Sequence, residues 1–583
     1  MKTSFKLKAL AVAIAALAGT QSAHAITPWQ TGTLTAADAS VTQNFGTPDI
    51  KIYTSGGAAQ DKAYASAVIN VLAEPGTVDS FEDDNAGTVG GRFAGYYFVG
   101  RTTAGPGGIP AALPTGLAGK KIYLEKRSLG AAGYGVVPLA GNIALDHLDI
   151  FLASSNGLNG SGSAAAWTAN GTNKYKASIV TGTATQAAWG NYLISTASDG
   201  GFIGVDAEAL LLPGTQNYPA PVKEVSTNVA TSPWNLNYKI TDLAATRIPT
   251  GGLVYGIGVT LDLYKALQIA QWKTGQLPAD TGTKIGEYTD AKYIPSLSRN
   301  FLASLLSGQV TNWANVQFRD IVTNPSTPAV YSLSQIPTIA GYPALAAPTK
   351  YTVGVGRRNT GAAIGAVGYA KLLNYPFTPS SFAPASDTAA LSKASAEPYV
   401  ASPGGASATD NLLKDWQAGT NVSTLNYSAT GKLWGFALHS GDRNAAAAGV
   451  TPSQNWRYIK IDGYTGTIDN VASGNYPYWA EGEVLIQPTI GTDKTNLLTA
   501  FANALHSTAV AADINPTLVQ PYGQSGVFAT SKTDNINTTA NVPFNVADPV
   551  VNLTHFNGTS THLGVVPRPF KNAASIAVVL ELQ

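Results

Sequence analysis

The stretch Tyr351–Tyr375 changes its hydrophobic period at one point, and this change constrains the fold of the chain around it. Val353 and Val355 alternate with glycine as in a strand, whereas Ile364 and the apolar residues after it recur at helical spacing. The change of period falls on Arg357–Gly361. The pattern therefore predicts a strand that ends in two arginines and continues, through a glycine-containing turn, into a helix.

A strand-to-helix turn of this kind has the geometry of an anion site. The free backbone N–H groups at the start of a helix and the positive end of its dipole would face the same pocket as a guanidinium. Arg357 and Arg358 would supply the positive charge, and Asn359, Thr360 and Gly361 would form the turn. The alternative is an ordinary strand-to-helix turn with two solvated arginines.

The beginning of the chain has the pattern of a secretory signal peptide. Three lysines precede an apolar run from Ala9 to Ala18, and small residues flank His24 at the end of the segment 1–25. Cleavage after Ala25 would give a mature chain that starts at Ile26. We therefore expect an exported protein, located in the periplasm or at the cell surface.

Composition excludes several classes of function. The 583 residues include no cysteine, which excludes disulfides and thiolate chemistry. Charged residues make up 12%, about half the usual share, and the formal net charge of +1 does not favour nucleic acid as a partner. After the leader, no run is long and apolar enough to span a bilayer.

Strands alternate with helices along the chain, which predicts an α/β fold with mainly parallel sheets. A strand, loop and helix are expected over residues 50–72, a strand leading into a helix over 253–272, and helices over 294–313 and 493–512. Residues 142–191 and 378–421 are rich in small and polar residues, so we expect irregular insertions there. Residues 575–582 are expected to form a terminal strand.

Four motifs give the chain a resemblance to a known family. They are TSGGAAQ from Thr54, LSGQVTNWANV from Leu306, GVGRRNTGAA from Gly354 and VASGNYPYW from Val471. They resemble the substrate-binding proteins of phosphate-type ABC transporters. LVYGIGVTLDLYKALQ and NWRYIKIDGYTGTIDN are similar to a divergent, uncharacterised exported branch of these binders.

The resemblance implies a two-lobed, type 2 periplasmic-binding fold, a small phosphate-like oxyanion in the cleft and a membrane transporter as partner. Lobe I would comprise residues 26–257 and return at 434–583 with a C-terminal extension, and lobe II would comprise 258–433. Arg358 would pair with the anion, backbone N–H groups would cradle it, and Asp206 would select a protonated form. The residues expected at the ligand are Ser55, Gly56, Gly57, Ser128, Gly130, Asp206, Arg357, Arg358, Asn359, Thr360 and Gly361.

The chain departs from the family pattern where the ligand would bind. Phosphate binders of this class carry a pattern like Arg-x-Asp-Gly-Ser-Gly-Thr, whereas Ala362, Ala363 and Ile364 follow Gly361 here. Each unfilled acceptor of a buried dianion costs about 1–3 kcal/mol. A second interpretation is therefore a surface-structural or assembly protein that keeps the scaffold without a phosphate site and associates with itself.

The spacing of histidines and acidic residues does not predict catalysis. The chain has no HExxH motif, GxSxG elbow or P-loop. His555 and His562 lie in a threonine-rich loop, and Glu82–Asp84 lacks the alternating spacing of a calcium loop. We predict a protein that is not an enzyme and binds no metal or cofactor. A hydrolase is the third interpretation, although the sequence pairs no nucleophile with a base.

Overall fold

The computed structural model describes most of the chain from residue 47 to residue 514 and short pieces beyond it. The expected signal peptide 1–25, His555 and His562 lie outside the described residues. The described residues are 47–83, 93–103, 112–151, 168–169, 174–177, 193–221, 237–377, 381–388, 397–426, 431–441, 443, 455–467, 470–471, 475–505, 507–514, 519–520, 523–524, 527–528 and 578–579.

The described residues form the strands and helices of an α/β protein, but the expectation of mainly parallel sheets is wrong, because most of the strand pairs are antiparallel. The strands are β1 Ile50–Gly56, β2 Asp79–Asp83, β3 Phe93–Val99, β4 Lys121–Arg127, β5 Ala144–Leu148, β6 Thr168–Ala169, β7 Lys174–Ala177, β8 Leu193–Ala197, β9 Gly200–Ile203, β10 Thr246–Thr260, β11 Ser296–Leu297, β12 Val316–Asp320, β13 Ala329–Ser332, β14 Lys350–Gly356, β15 Tyr399–Ala401, β16 Leu433–Ser440, β17 Trp456–Tyr458, β18 Lys460–Ile461, β19 Trp479–Ile486, β20 Val519–Gln520, β21 Gly523–Gln524, β22 Val527–Phe528 and β23 Val578–Val579. The helices are α1 Asp61–Ser66, α2 Val137–Gly141, α3 Ala207–Leu210, α4 Leu261–Lys273, α5 Arg299–Leu306, α6 Ala363–Gly368, α7 Ala406–Ala418, α8 Thr492–Leu505 and α9 Thr508–Ile514. Two of them continue as π-helical turns, α1 through Ala67–Leu72 and α6 through Tyr369–Leu373.

One large mixed sheet dominates the fold. It has 14 strands, in the order β15-β14-β16-β10-β19-β9-β1-β4-β3-β2-β7-β6, and β17 and β22 also pair with β10. β1 runs parallel to β4 and β9 in one part of the sheet, and β14 runs parallel to β15 and β16 in the other. Parallel strands place their carboxyl ends at the same edge, so each part presents a row of loops there.

β10 joins the two parts of the sheet. Its first half pairs antiparallel with β19, and its second half pairs antiparallel with β16. The register with β19 shifts between Pro249 and Gly252, which marks an irregularity in the middle of the strand. Helix α8 packs against the turn after α1, and Phe501 lies 4.4 Å from the ring of Tyr64, so one core covers β1 and β9.

Three sequence expectations about elements need correction. The helix expected over 294–313 is confined to α5, because Ser298 caps its start and accepts a hydrogen bond from the Phe301 N–H group. The segment 378–421 is not wholly irregular, since it contains β15 and the 13-residue helix α7. The segment 142–191 likewise contains β5, β6 and β7. Of the terminal strand expected at 575–582, the described residues are Val578 and Val579, and they pair with β12 of the same chain.

Candidate functional site: the loops at the carboxyl ends of the strands

Loops from both parts of the sheet meet around one proline. The Gly133 N–H group donates a hydrogen bond of 2.9 Å to the carbonyl of Gly361. A Cβ atom placed on either glycine would lie 2.5 Å from the ring of Pro219. Gly361 also has a φ of +75°, a backbone conformation that favours glycine. The loop after β4, the loop after β14 and the segment that carries Pro219 are therefore in direct contact.

The ends of β1 and β9 adjoin the same contact. A Cβ atom on Gly57 would lie 3.2 Å from the backbone of Ala132, in the loop after β4. A Cβ atom on Gly204, just after β9, would lie 3.6 Å from the Cβ of Ala363 at the start of α6. The structure thus brings together the four strand ends from which the sequence-predicted site was assembled.

Arg357 is a buried cation at the end of β14. Its side chain is 6% exposed, its Nε donates to Ser402 Oγ at 2.9 Å, and its backbone N–H group donates to the carbonyl of Ala401 at 3.0 Å. Among the residues that the structure describes, no carboxylate pairs with Arg357, and its Nη1 is buried without a hydrogen-bond partner. The side-chain oxygen of Asn359 is likewise buried without a hydrogen-bond partner. A buried charge without a counter-ion is costly, so Arg357 is the residue of this loop best suited to hold an anion.

Arg358 and Thr360 complete the loop. The Arg358 side chain is buried, and its Nε donates to the Pro403 carbonyl at 3.2 Å, whereas Thr360 is half-buried. Tyr369, on the π-helical turn after α6, lies close to both arginines. Burial raises the pKa of the Tyr369 hydroxyl to about 12, and the positive charges of Arg357 and Arg358 oppose that shift. The electrostatic potential at this strand end is therefore positive.

The polar groups at the end of β1 already have partners. Gly56 pairs with Phe202 of β9, and the Gly57 N–H group donates to the Phe202 carbonyl at 3.3 Å. Ser55 is fully buried, and its hydroxyl donates to the Tyr134 carbonyl at 2.8 Å. The expectation that the Gly57 N–H group is free to cradle an anion is thus not met in this conformation.

Ser128 lies beside a different pair of charged groups, and Gly130 lies against an aromatic ring. Ser128 Oγ contacts Lys126 Nζ and lies 3.2 Å from Asp61 Oδ1, and Lys126 also pairs with Asp61. Gly130 has a φ of +95°, and a Cβ atom there would lie 2.2 Å from the ring of Tyr134. Both residues serve the shape of the loop after β4 in the structure as it stands.

Asp206 is a helix cap and an ion-pair partner in the structure, and its expected contact with a ligand stays a prediction. It caps α3, accepting from the Glu208 N–H group at 2.8 Å, and it pairs with Arg247 at 2.8 Å. Arg247 also binds Glu483 through two hydrogen bonds of 2.9 and 3.0 Å. The Oδ1 atom of Asp206 therefore already serves a helix cap and an ion-pair network. The capping role was the alternative that the sequence left open.

Glu483 is the buried member of that network. Burial and the nearby charge of Asp206 raise the pKa of the Glu483 carboxyl to about 8, because they outweigh the opposing hydrogen bonds from Arg247. Three carboxyl groups surround one guanidinium here: Asp206, Glu208 and Glu483. A proton held by Glu483 reduces the excess negative charge.

The segments that touch the arginines and the glycines of the site were not among the residues predicted from the sequence. Ser402 and Pro403 follow β15, within the segment expected to be irregular, and Pro219 precedes a part of the chain outside the described residues. A signal was present in the first case. The apolar triplet Tyr399–Ala401, a Ser-Pro-Gly-Gly turn and the later Leu412, Leu413 and Trp416 repeat the strand, turn and helix pattern of residues 351–375.

Neither a metal site nor a membrane span is found in the described part of the chain. No three His, Asp or Glu side chains there are grouped so that they could hold a metal ion. None of the helices described is both long and apolar enough to cross a bilayer.

Comparison with known proteins gives a distant structural likeness only. No protein-family model and no curated protein sequence matches the chain. Among solved structures, a phosphate ABC transporter substrate-binding protein with bound phosphate from Clostridium perfringens is 10% identical, with 55% of this chain and 78% of that chain covered and a TM-score of 0.26. An ABC-type phosphate transport receptor from Vibrio cholerae (11% identity, 54% and 78% covered) and PstS from Borrelia burgdorferi (9%, 55% and 78%) each give a TM-score of 0.24.

Proposed function

We propose that the chain is an exported, non-enzymatic solute-binding protein of the two-lobed, type 2 kind. The parts of the sheet on either side of β10 and β19 would be the two lobes. A small phosphate-like oxyanion would bind between their loops, and the closed form would be presented to a membrane transporter. The signal-peptide pattern and the four sequence motifs support export and the binding-protein class.

One observation carries the ligand assignment. Arg357 is buried at a strand end, its Nη1 has no partner among the described residues, and no carboxylate there neutralises its charge. An oxyanion would supply both the missing acceptor and the missing counter-charge. The nearby Asn359 oxygen, which is also buried without a partner, would accept a hydrogen bond from a protonated ligand oxygen. We therefore propose that Asn359, and not Asp206, selects a protonated form of the ligand.

The ligand assignment is tested by calorimetric titration of the purified chain with phosphate, sulfate, arsenate and a phosphonate. Arg357→Gln should weaken binding of the preferred anion by about tenfold to a hundredfold, since a hydrogen bond to a charged group contributes about 1.5–3 kcal/mol. Arg319→Gln is the matched control, because Arg319 is an exposed arginine on β12. Equal affinity of the wild type and the Arg357 variant would refute the assignment.

The second candidate is a structural or assembly protein that keeps the scaffold, and the contact between the loops around Pro219 favours it. Pro219 packs against Gly133 and Gly361, and the Gly57 N–H group is occupied, so several positions that a ligand would need are filled by the chain itself. This candidate predicts no binding of any of the four anions, together with oligomers at high protein concentration. A monomer in light scattering at high concentration would contradict it.

A further inference from the structure

Behind the loops lies a chain of four buried side chains that starts at Ser55. Ser55 Oγ is 2.9 Å from Ser198 Oγ, Ser198 Oγ is 3.0 Å from His147 Nε2, and His147 Nδ1 is 2.8 Å from Glu125 Oε2. The most exposed of the four is Ser198, at 3%. Neither the sequence motifs nor the proposed ligand site accounts for this arrangement.

Counting hydrogens fixes the direction of the hydrogen bonds from Tyr134 through Ser55 and Ser198 to His147. The Tyr134 carbonyl can only accept, so the single hydroxyl hydrogen of Ser55 points to it, at 2.8 Å. The hydrogen between Ser55 and Ser198 must then belong to Ser198. With its own hydrogen used, Ser198 can only accept from His147, and Nε2 must carry a hydrogen.

The other end of the chain requires a second hydrogen, between the same ring and Glu125. The carboxyl group of Glu125 accepts from the backbone N–H groups of Thr54 and Leu148, each at 3.3 Å, as well as facing His147 Nδ1. Two lone pairs cannot face each other at 2.8 Å, so a hydrogen lies between His147 Nδ1 and Glu125 Oε2. With Glu125 ionised, a form that accepts from all three nitrogens, this hydrogen belongs to Nδ1.

We propose that His147 is a positioning residue that carries hydrogens on both ring nitrogens, with its charge balanced by Glu125. It fixes the direction of the hydrogen bonds through Ser198 and Ser55 to the carbonyl of Tyr134. Tyr134 belongs to the turn Ala132–Gly135, whose Gly133 holds the Gly361 carbonyl. His147 thus helps to set the position of the loop after β4 at the contact between the two parts of the sheet. This inference holds whether or not an anion binds.

The same count argues against a hydrolase. A serine, a histidine and an acid in this order resemble a catalytic triad, but in a triad the histidine accepts the hydrogen of the serine. Here the histidine donates to Ser198. Ser198 is also buried, so the geometry assigns a positioning role and no nucleophile.

The other charged groups around His147 have their own partners. The ring of Tyr53 lies 5.4 Å away, and its hydroxyl donates to Asp149, which pairs with Lys51. Asp199 accepts from the Tyr53 N–H group and pairs with Lys494. Arg127, on the same strand as Glu125, donates to the Asp146 carbonyl. Glu125 is the carboxyl group left for His147.

Nuclear magnetic resonance of the purified chain with ¹⁵N-labelled histidine tests the proposal, with His147 assigned through His147→Gln. Both ring nitrogens of His147 should show the chemical shifts of protonated nitrogens and each should carry a slowly exchanging hydrogen. His439 is an internal reference, because its Nδ1 accepts from the Ser440 N–H group at 2.9 Å while Nε2 faces Asp410. It should show one protonated nitrogen only. A bare Nε2 in His147 would overturn the proposal.

The variant Ser55→Ala tests whether the direction of the hydrogen bonds, and not only the packing around His147, sets the hydrogens on its ring. In Ser55→Ala, Ser198 no longer has to donate to Ser55 and can turn its hydrogen to His147, so the Nε2 hydrogen of His147 should be lost. Ser128→Ala is the matched control, since Ser128 is a serine at the end of β4 outside this chain, and should leave both ring signals unchanged. Retention of both ring hydrogens in a folded Ser55→Ala variant would contradict the proposed direction.

Discussion

Arg357 and Glu483 are both buried ionisable residues, but they differ in whether an oppositely charged side chain lies beside them. Glu483 has a cationic partner, whereas Arg357 has no carboxylate partner among the described residues. The sequence predicts the position of Arg357, because the alternation of β14 ends there. It does not predict the partners of Asp206, because Arg247 and Glu483 are distant in sequence and only the strand order of the sheet brings them together.

Glu483 should make the stability of the protein depend on pH. Its folded-state pKa of about 8 lies above the ordinary value, so the folded state binds more protons than the unfolded state between about pH 4.5 and pH 8. The free energy of unfolding should therefore fall as pH rises through that range, by up to about 1.4 kcal/mol per pH unit from this group. Urea denaturation of wild type and Glu483→Gln measures the effect, and the variant should show a flatter dependence. Parallel curves for the two proteins would refute the assignment.

At the scale of elements, local pattern predicted best where one period was uninterrupted. The strand, loop and helix over 50–72, the strand and helix over 253–272 and the helix within 493–512 appear as β1 with α1, β10 with α4, and α8 with α9. The helix α7 was missed because serine, alanine, proline and glycine dominate the composition around its short apolar stripe. That stripe packs against the strands β14 and β16, a contact that sequence composition does not reveal.

The end of α7 offers a test of this helix. Gly419 caps it with a φ of +78°, and a Cβ atom there would lie 3.3 Å from the backbone of Lys432. Gly419→Ala should lower the free energy of unfolding by about 1–2 kcal/mol, because a side chain in the left-handed region is strained. Gly404→Ala, with nothing within 4 Å of the added atom, should change it by less than about 0.5 kcal/mol. Denaturant melts of the two variants make the comparison, and equal melts would contradict the capping role.

At the scale of the whole molecule, the order of the strands could not be predicted. The sequence indicated an α/β fold, and the large mixed sheet agrees with that class. Pairing of β10 with both β16 and β19 joins strands that are far apart in sequence, and such pairing depends on contacts that no local pattern contains. The division into lobes at residues 257 and 433 stays a prediction.

β10 and β19 are neighbouring strands between the two parts of the sheet. A substitution that disturbs the packing of this pair should therefore destabilise the whole molecule. A Cβ atom on Gly482 would lie 2.2 Å from Gln60 Nε2 and 2.7 Å from the Ile203 carbonyl. Gly482→Ala should lower the free energy of unfolding by about 1–3 kcal/mol through overpacking. Hydrogen exchange should then accelerate equally in β1 and β14, which lie on opposite sides of the β10–β19 pair. Acceleration in one of these strands alone would show that the two parts unfold independently.

The hydrogen bond between Gly133 and Gly361 also has a kinetic consequence. An anion that binds between the loops, as proposed, would have to wait for this bond and the packing of Pro219 to open, so only the open fraction of molecules could capture it. If the contact favours the closed form by about 1.4 kcal/mol, roughly one molecule in ten is receptive, and the apparent affinity is about tenfold below the intrinsic one. The observed association rate would then saturate at the opening rate as the ligand concentration increases. The dissociation rate would also fall, because a bound anion could leave only after the same contact opens.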